Sequence, residues 1–171
     1  MKTLSYLFVM AVILIAGCAQ DDTMFETPES MELKSAKVPI PLKGEGWSDP
    51  DLQSSTRLII GGIGTHLGKI NSEQSYYDFK TQNYVEVDGL PFFDLTGFGK
   101  LVGANDDSFD FTFSTIQSLV DYSLVSKCDI TPGSGTGKFK DCTGSFNTVG
   151  APDVSGVHLY VFKIEGELVY E

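Results

Sequence analysis

The sequence is poor in the residues that most often carry recognisable chemistry. Its 171 residues include 2 histidines and 3 cysteines, and Arg57 is the only arginine. Acidic residues outnumber lysine plus arginine by 23 to 12, which gives a net charge of −11. A chain this acidic repels phosphate backbones, so nucleic-acid binding is excluded. The histidines, His66 and His158, lack the close spacing of a zinc site, and we expect no metal.

Long apolar runs are also scarce, and the clearest one lies at the N-terminus, in MKTLSYLFVMAVILIAGCAQDD. A basic start, a short apolar core and a small-residue end predict a signal peptide over residues 1–17, too short for a membrane span. The pentapeptide LIAGC, which ends at Cys18, resembles the bacterial lipobox and implies lipidation of Cys18. The alternative is an ordinary signal peptide with a chance cysteine. Acyl chains such as palmitate gain about 0.8 kcal/mol per buried methylene, so two or three anchor a domain firmly.

The residues after Cys18 predict the destination and the domain boundary. Ala19 replaces the aspartate that often signals inner-membrane retention, so we expect a cell-envelope lipoprotein of the outer membrane, facing the periplasm or the outside. Acids, Ser and Thr without sustained periodicity predict that residues 18–37 form the lipidated cysteine and a flexible tether. The folded domain is expected over residues 38–171, a length typical of one domain.

Short runs rich in Val, Ile, Phe, Tyr and Thr recur through this domain and are mostly bounded by Gly, Asp or Asn. In Phe109–Phe113 strict alternation places three phenylalanines on one face of a strand. No stretch has the pattern of an amphipathic helix of ten or more residues. We therefore predict an all-β domain: an antiparallel, closed or nearly closed barrel of about eight strands, with a β-sandwich as the alternative.

The stretch GSGTGKFKDCTGSF, residues 133–146, invites comparison with a phosphate-binding loop. Such a loop needs Gly-x-x-x-x-Gly-Lys-Ser/Thr. Aligning Gly137 and Lys138 puts Pro132 at the first glycine and Phe139 at the hydroxyl position. Nucleotide binding is therefore rejected, no cofactor is expected, and the glycines are interpreted as turn and bulge residues.

Two windows resemble a known family. SGTGKFKDCTGSF resembles the glycine segment of the allene oxide cyclase and dirigent barrel-like proteins, and GIGTHLGKI resembles a stretch of secreted bacterial proteins that often carry that segment. The matching residues are Gly135, Gly137, Phe139 and Gly144 in the first window, and Thr65, His66, Leu67 and Gly68 in the second. The resemblance implies a barrel of about eight antiparallel strands. It carries over no catalytic residue, because the family's catalytic positions lie outside both windows.

Cys128 and Cys142 close a loop of about 15 residues, for which the chain-entropy model gives roughly 3 kcal/mol of stabilisation by a disulfide. The oxidising envelope favours this bond. The alternative is two buried free thiols, because Cys142 replaces a small core residue of the family segment.

The acids give no firm catalytic or metal site. The loop ANDDSFD, which ends at Asp110, is interpreted as a solvated turn rather than a calcium loop, because it lacks the downstream glutamate. Glu86 and Asp110 are the least arbitrary acids for an enzyme, since each lies within an alternating strand.

We expect a non-enzymatic, outer-membrane-anchored domain that binds a small apolar ligand or a protein partner. The 12 Phe and 7 Tyr residues either fill the core or line a ligand cavity. The alternatives are a barrel enzyme acting on an apolar or phenolic small molecule, as the resemblance suggests, and a structural envelope component.

Overall fold

The computed structural model describes residues 37–170, which form nine β-strands and no α-helix. The strands are β1 (Ile40–Pro50), β2 (Arg57–Gly64), β3 (Gly68–Ile70), β4 (Tyr76–Val87), β5 (Leu90–Val102), β6 (Ser108–Ser118), β7 (Leu124–Ile130), β8 (Cys142–Pro152) and β9 (Tyr160–Tyr170). One 3-10 turn, Gly137–Phe139, lies between β7 and β8. Among these residues no helix is long and apolar enough to cross a membrane. The predicted signal peptide, Cys18 and the predicted tether up to residue 36 lie outside the described residues.

The strands close into an antiparallel ring. Neighbours pair in the order β1-β9-β8-β7-β6-β5-β4-β2, and β2 pairs with β1 again, from Gly44 opposite Gly64 to Pro50 opposite Leu58. β3 pairs with β2 alone. The eight strands of the ring are not spaced evenly round an axis, so its shape lies between a barrel and a sandwich. The predicted all-β fold of about eight antiparallel strands is confirmed.

The inward row of β6 shows how the sequence pattern builds the interior. Phe109, Phe111 and Phe113 are 0–5% exposed, whereas Asp110 and Thr112 between them are exposed. This is the alternation that the sequence predicts, because successive side chains of a strand point to opposite faces. The β6 phenylalanines therefore form part of the core inside the ring.

Glycines make room for the aromatic rings inside and around the ring. Each of five aromatic residues lies directly opposite a glycine on the neighbouring strand; the pairs are Gly97–Phe113, Gly99–Phe111, Gly166–Phe146, Gly46–Phe162 and Gly61–Trp47. A methyl group at Gly97 would lie only 2.6 Å from the Phe113 ring. These glycines are therefore required for space rather than for turn geometry, and they let large rings pack across adjacent strands.

The interior differs between the two ends of the ring. We call the end with the connections 51–56, 88–89, 119–123 and 153–159 the mouth end, and the end with the connections 65–67, 103–107 and 131–141 the plugged end. At the plugged end buried apolar side chains fill the interior of the ring, and we call this filled part the plug. The largest of those with less than 2% exposure are Phe109, Phe111, Phe139, Phe146, Leu42, Ile60, Leu67, Ile70, Leu101 and Leu168.

Candidate functional site

A cavity of about 230 Å³ occupies the mouth half of the ring. Side chains from all eight strands of the ring line it: Ser48, Leu58, Tyr77, Phe79, Gln82, Phe93, Leu95, Phe113, Thr115, Gln117, Leu124, Ser126, Thr148, Tyr160 and Phe162. Protein interiors leave few voids larger than a water molecule. A cavity of this size inside a ring whose other half is filled is therefore the strongest candidate site in the described residues.

Aromatic rings form the inner wall of the cavity. Tyr77 packs edge-on against Phe113, with ring centroids 5.2 Å apart, and against Phe162 at 6.4 Å. Phe79 packs edge-on against Phe113 at 5.4 Å. Edge-to-face packing of this kind holds the rings in fixed orientations. The wall is therefore a rigid apolar surface suited to a flat or compact apolar molecule.

Hydroxyl and amide groups lie further towards the mouth end. The buried Thr115 hydroxyl donates to the Ser126 hydroxyl (2.7 Å). Gln117 Nε2 donates to the Tyr160 hydroxyl (2.5 Å), a bond that joins β6 to β9 across the interior. Ser48 is only 3% exposed. The cavity thus combines an apolar wall with a small set of polar groups, the usual composition of a ligand pocket.

The lining residues carry no charge at neutral pH. They include no Asp, Glu, Lys, Arg or His. Burial raises the pKa of Tyr77 well above its ordinary value; the nearby Cys128 thiol raises it further, while a hydrogen bond with Thr148 opposes the shift. Burial likewise raises the pKa of Tyr160, and its bond with Gln117 opposes this. Both phenols therefore stay protonated, and the cavity suits an uncharged molecule.

The cavity reaches solvent beside β4. The pairing of β2 with β4 ends at Arg57 opposite Asp78, and from Lys80 to Val87 β4 pairs only with β5 among the described residues. Gln82 belongs to this stretch, which β2 does not cover; it is exposed and also lines the cavity. Gln82 therefore lies both at the cavity and at the protein surface.

The glycine segment that resembles a phosphate loop is part of the plug. Phe139 is fully buried, with its ring centroid 5.2 Å from that of Phe109. A side chain at Gly135 would collide with the Phe139 carbonyl, and Gly144 has φ +128°. Gly137 has φ +53°. These positions are explained by close approach and backbone conformation, and they lie at the opposite end from the cavity.

The second sequence window also closes the plugged end. Thr65 and His66 follow β2, and His66 has φ 65° in the tight turn before Gly68. The Thr65 hydroxyl accepts a hydrogen bond from Lys43 N (2.8 Å), and Leu67 is 1% exposed within the core. The two windows thus come together in the plug, and neither lines the cavity.

The predicted disulfide is wrong. Cys128 and Cys142 are both buried free thiols, the alternative that the sequence left open. Cys128 lies opposite Phe146 on β8, four residues from Cys142. Four residues of strand span about 13 Å, whereas bridged cysteines have Cα atoms within roughly 7 Å. The register of β7 against β8 therefore keeps the thiols apart.

The remaining candidates lie on the outer surface. Glu86 and Asp110 are exposed and do not line the cavity. His158 precedes β9; its ring stacks on Trp47 with centroids 4.2 Å apart, and its Nδ1 lies 2.8 Å from Asp49 Oδ2. His158 thus fixes the connection before β9. Within residues 37–170 no three His, Cys, Asp or Glu side chains converge where a metal could bind.

No protein-family model matches the chain, and no match is found among the curated proteins or the solved structures. Functional inference therefore depends on the geometry of the cavity.

Sequence reasoning missed the polar lining residues, although a usable signal was present. The inward row of β6 continues beyond Phe113 with Thr115 and Gln117, so it changes from apolar to polar along the strand. Ser126 and Ser48 occupy inward positions of β7 and β1. A small polar residue in the inward row of a strand indicates a cavity. This signal can be read only when the bounds of the strand and its inward face are known.

Proposed function

We propose that the chain is an outer-membrane lipoprotein whose barrel domain binds a small apolar molecule in the cavity at the mouth end. The observation that carries the proposal is the cavity itself. An apolar cavity of about 150 Å³ is enough to bind benzene, and this one measures about 230 Å³. It therefore has room for a ligand somewhat larger than one aromatic ring.

Native mass spectrometry of residues 19–171, purified from the periplasm of a Gram-negative host, tests the binding proposal. This form keeps every described strand. We expect a native species heavier than the denatured chain by one small molecule, or one that forms on adding an apolar probe such as naphthalene. If naphthalene and a panel of apolar compounds leave only the bare mass, the proposal fails.

A matched pair of variants separates the cavity from the outer surface. Ser48→Phe places a ring into the cavity and breaks no side-chain hydrogen bond among the described residues. Ser114→Phe makes the same change at an exposed position of β6. We expect Ser48→Phe to abolish the complex and Ser114→Phe to preserve it. If both variants lose the complex to the same extent, the ligand is bound outside the cavity.

The lipobox-like pentapeptide supports the anchoring part of the proposal. Metabolic labelling with palmitate should mark the wild-type chain, and Cys18→Ser should lose both the label and fractionation with the outer membrane. Unchanged fractionation of Cys18→Ser would contradict the anchor.

We favour binding over catalysis because the lining offers no carboxylate, imidazole or amine for general acid–base chemistry. An enzyme acting on an apolar or phenolic molecule would use the same cavity. Recovery of a bound compound unchanged in mass after prolonged incubation is expected for a binding protein, and its conversion would favour the enzyme.

A protein partner is a second candidate, favoured by an apolar stripe on the outer face of the ring. Ile116, Val125 and Val149 lie opposite one another on β6, β7 and β8 and are 43–58% exposed. Contiguous exposed apolar surface often marks an interaction site. A photo-crosslinker at position 149 should capture a partner in cells, whereas one at exposed Ser145 on the same strand should not.

A further inference from the structure

Polarity changes along the cavity from its inner wall to the mouth end. On β6 the lining residues follow the order Phe113, Thr115, Gln117 towards the mouth. On β9 Tyr160 is the first residue of the strand and Phe162 lies deeper. Four residues of strand, from Phe113 to Gln117, correspond to about 13 Å. The site therefore has an apolar inner part and a polar outer part.

The polar groups at the outer part have unused hydrogen-bonding capacity. The Ser48 hydroxyl makes no hydrogen bond within residues 37–170, although the residue is 3% exposed. Every fully buried polar side-chain atom in that range has a partner. The Ser48 oxygen must therefore face the cavity. The hydroxyl is therefore available to donate to, or accept from, a polar group that occupies the cavity.

Gln117 and Tyr160 are also only partly used. Gln117 donates through Nε2 to Tyr160, and its Oε1 accepts no hydrogen bond within the described residues. Because Tyr160 accepts this bond, its own hydroxyl proton is available to an acceptor. Ser48 lies directly opposite Tyr160 in the pairing of β1 with β9. Donors and acceptors from β1, β6 and β9 thus converge at one place.

We infer that the ligand is an uncharged amphipathic molecule with one hydroxyl or carbonyl group, which Ser48, Gln117 and Tyr160 hold at the mouth end while its apolar body lies against Tyr77 and Phe113. This inference rests on the proposed binding function and specifies the ligand class. A charged group is excluded because no lining residue could neutralise it.

Three probes of one shape test the inference on residues 19–171: naphthalene, 2-naphthol and 2-naphthoate, which is ionised at neutral pH. Dissociation constants are measured by fluorescence titration. We expect 2-naphthol to bind about tenfold more tightly than naphthalene, the effect of one or two net hydrogen bonds, and 2-naphthoate to bind weakest.

Variants show whether the named groups produce this preference. Ser48→Ala and Tyr160→Phe should bind naphthalene as the wild type does but lose the tenfold preference for 2-naphthol. Ser114→Ala, the same change on the outer face of β6, should keep it. Circular dichroism checks that each variant is folded, and unchanged naphthalene affinity shows that its cavity is intact.

The outcomes distinguish the inference from the proposed function. If naphthalene and 2-naphthol bind equally, or 2-naphthoate binds best, the ligand class is wrong while cavity binding stands. If a preference for 2-naphthol survives in both Ser48→Ala and Tyr160→Phe, the assigned groups are wrong. If none of the three probes binds, the proposed function fails, and the inference fails with it.

Discussion

Truncating a phenylalanine at each end of the ring should have unequal effects on stability. Phe109 is fully buried in the plugged half, between Phe139 and Phe146. Phe109→Ala removes the transfer free energy of the ring and leaves a new closed void, a combined loss of about 4 kcal/mol. Phe113 already borders the cavity. The space left by Phe113→Ala joins a volume that water can enter, so only the transfer contribution of about 2 kcal/mol is lost.

Urea unfolding followed by far-ultraviolet circular dichroism measures the difference. Both variants should unfold in one transition, with the midpoint of Phe109→Ala clearly below that of Phe113→Ala and similar slopes. Equal losses near 4 kcal/mol would mean that Phe113 sits in a core as closed as that around Phe109. That result would refute the division of the interior into a filled half and an open half.

Three further predictions follow from individual contacts. Arg57 donates to Asp78 and lowers its pKa. Asp78→Asn should therefore reduce stability by about 1 kcal/mol at pH 7. Because the native pKa of Asp78 is lowered, this difference should begin to fall below about pH 4, the ordinary pKa of an aspartate, and disappear once the pH is below the lowered native pKa. A difference unchanged at about pH 3 contradicts the prediction. Burial raises the pKa of Cys128 and of Cys142, so both thiols should react with a thiol reagent only after denaturation, and fast reaction in the native state would show exposure. Gly97→Ala should lower the free energy of unfolding by about 2 kcal/mol through overpacking, and a neutral effect in urea unfolding would contradict the close packing across β5 and β6.

The fold was predictable because the signals that specify it lie within short stretches of the sequence. Alternation in Phe109–Phe113 identifies the inward face without knowledge of the partner strands, and the structure confirms it. Asp88-Gly89, with φ 52° and 78°, is a two-residue hairpin turn of the kind that joins antiparallel neighbours. Frequent local signals of this sort favour an antiparallel sheet, and eight such strands are enough to close a ring.

The disulfide was not predictable from the same information. Loop length between Cys128 and Cys142 describes only the unfolded chain. Whether the thiols can meet depends on the register of β7 against β8, which places Cys128 opposite Phe146. Register is fixed by pairing over the whole sheet and by the turn between the strands. The number and spacing of the cysteines carry no information about either.

The candidate site was hidden for a related reason. Ser48, Gln117 and Tyr160 lie on three strands that are distant in sequence, and each is an ordinary residue in its own segment. Only the closed order of the strands brings them to one end of the ring. The two segments that resemble known motifs stand out in the sequence, but their residues pack the plug: Gly137 has no room for a side chain, and Leu67 is buried.

The separation of plug and cavity also explains how the domain remains stable although part of its interior is not filled by side chains. A dry cavity of about 230 Å³ would forgo on the order of 5 kcal/mol at roughly 24 cal/mol per Å³, which approaches the whole stability of a marginal domain. Hydroxyl groups such as those of Ser48 and Thr115 let water occupy the space and reduce that cost. The tightly packed plug offsets the rest of that cost, which leaves the residues at the mouth end available for the proposed ligand site. If the proposed binding function is right, substitutions in the plug should change stability without changing which molecule binds, whereas substitutions at the mouth end should change binding with little effect on stability.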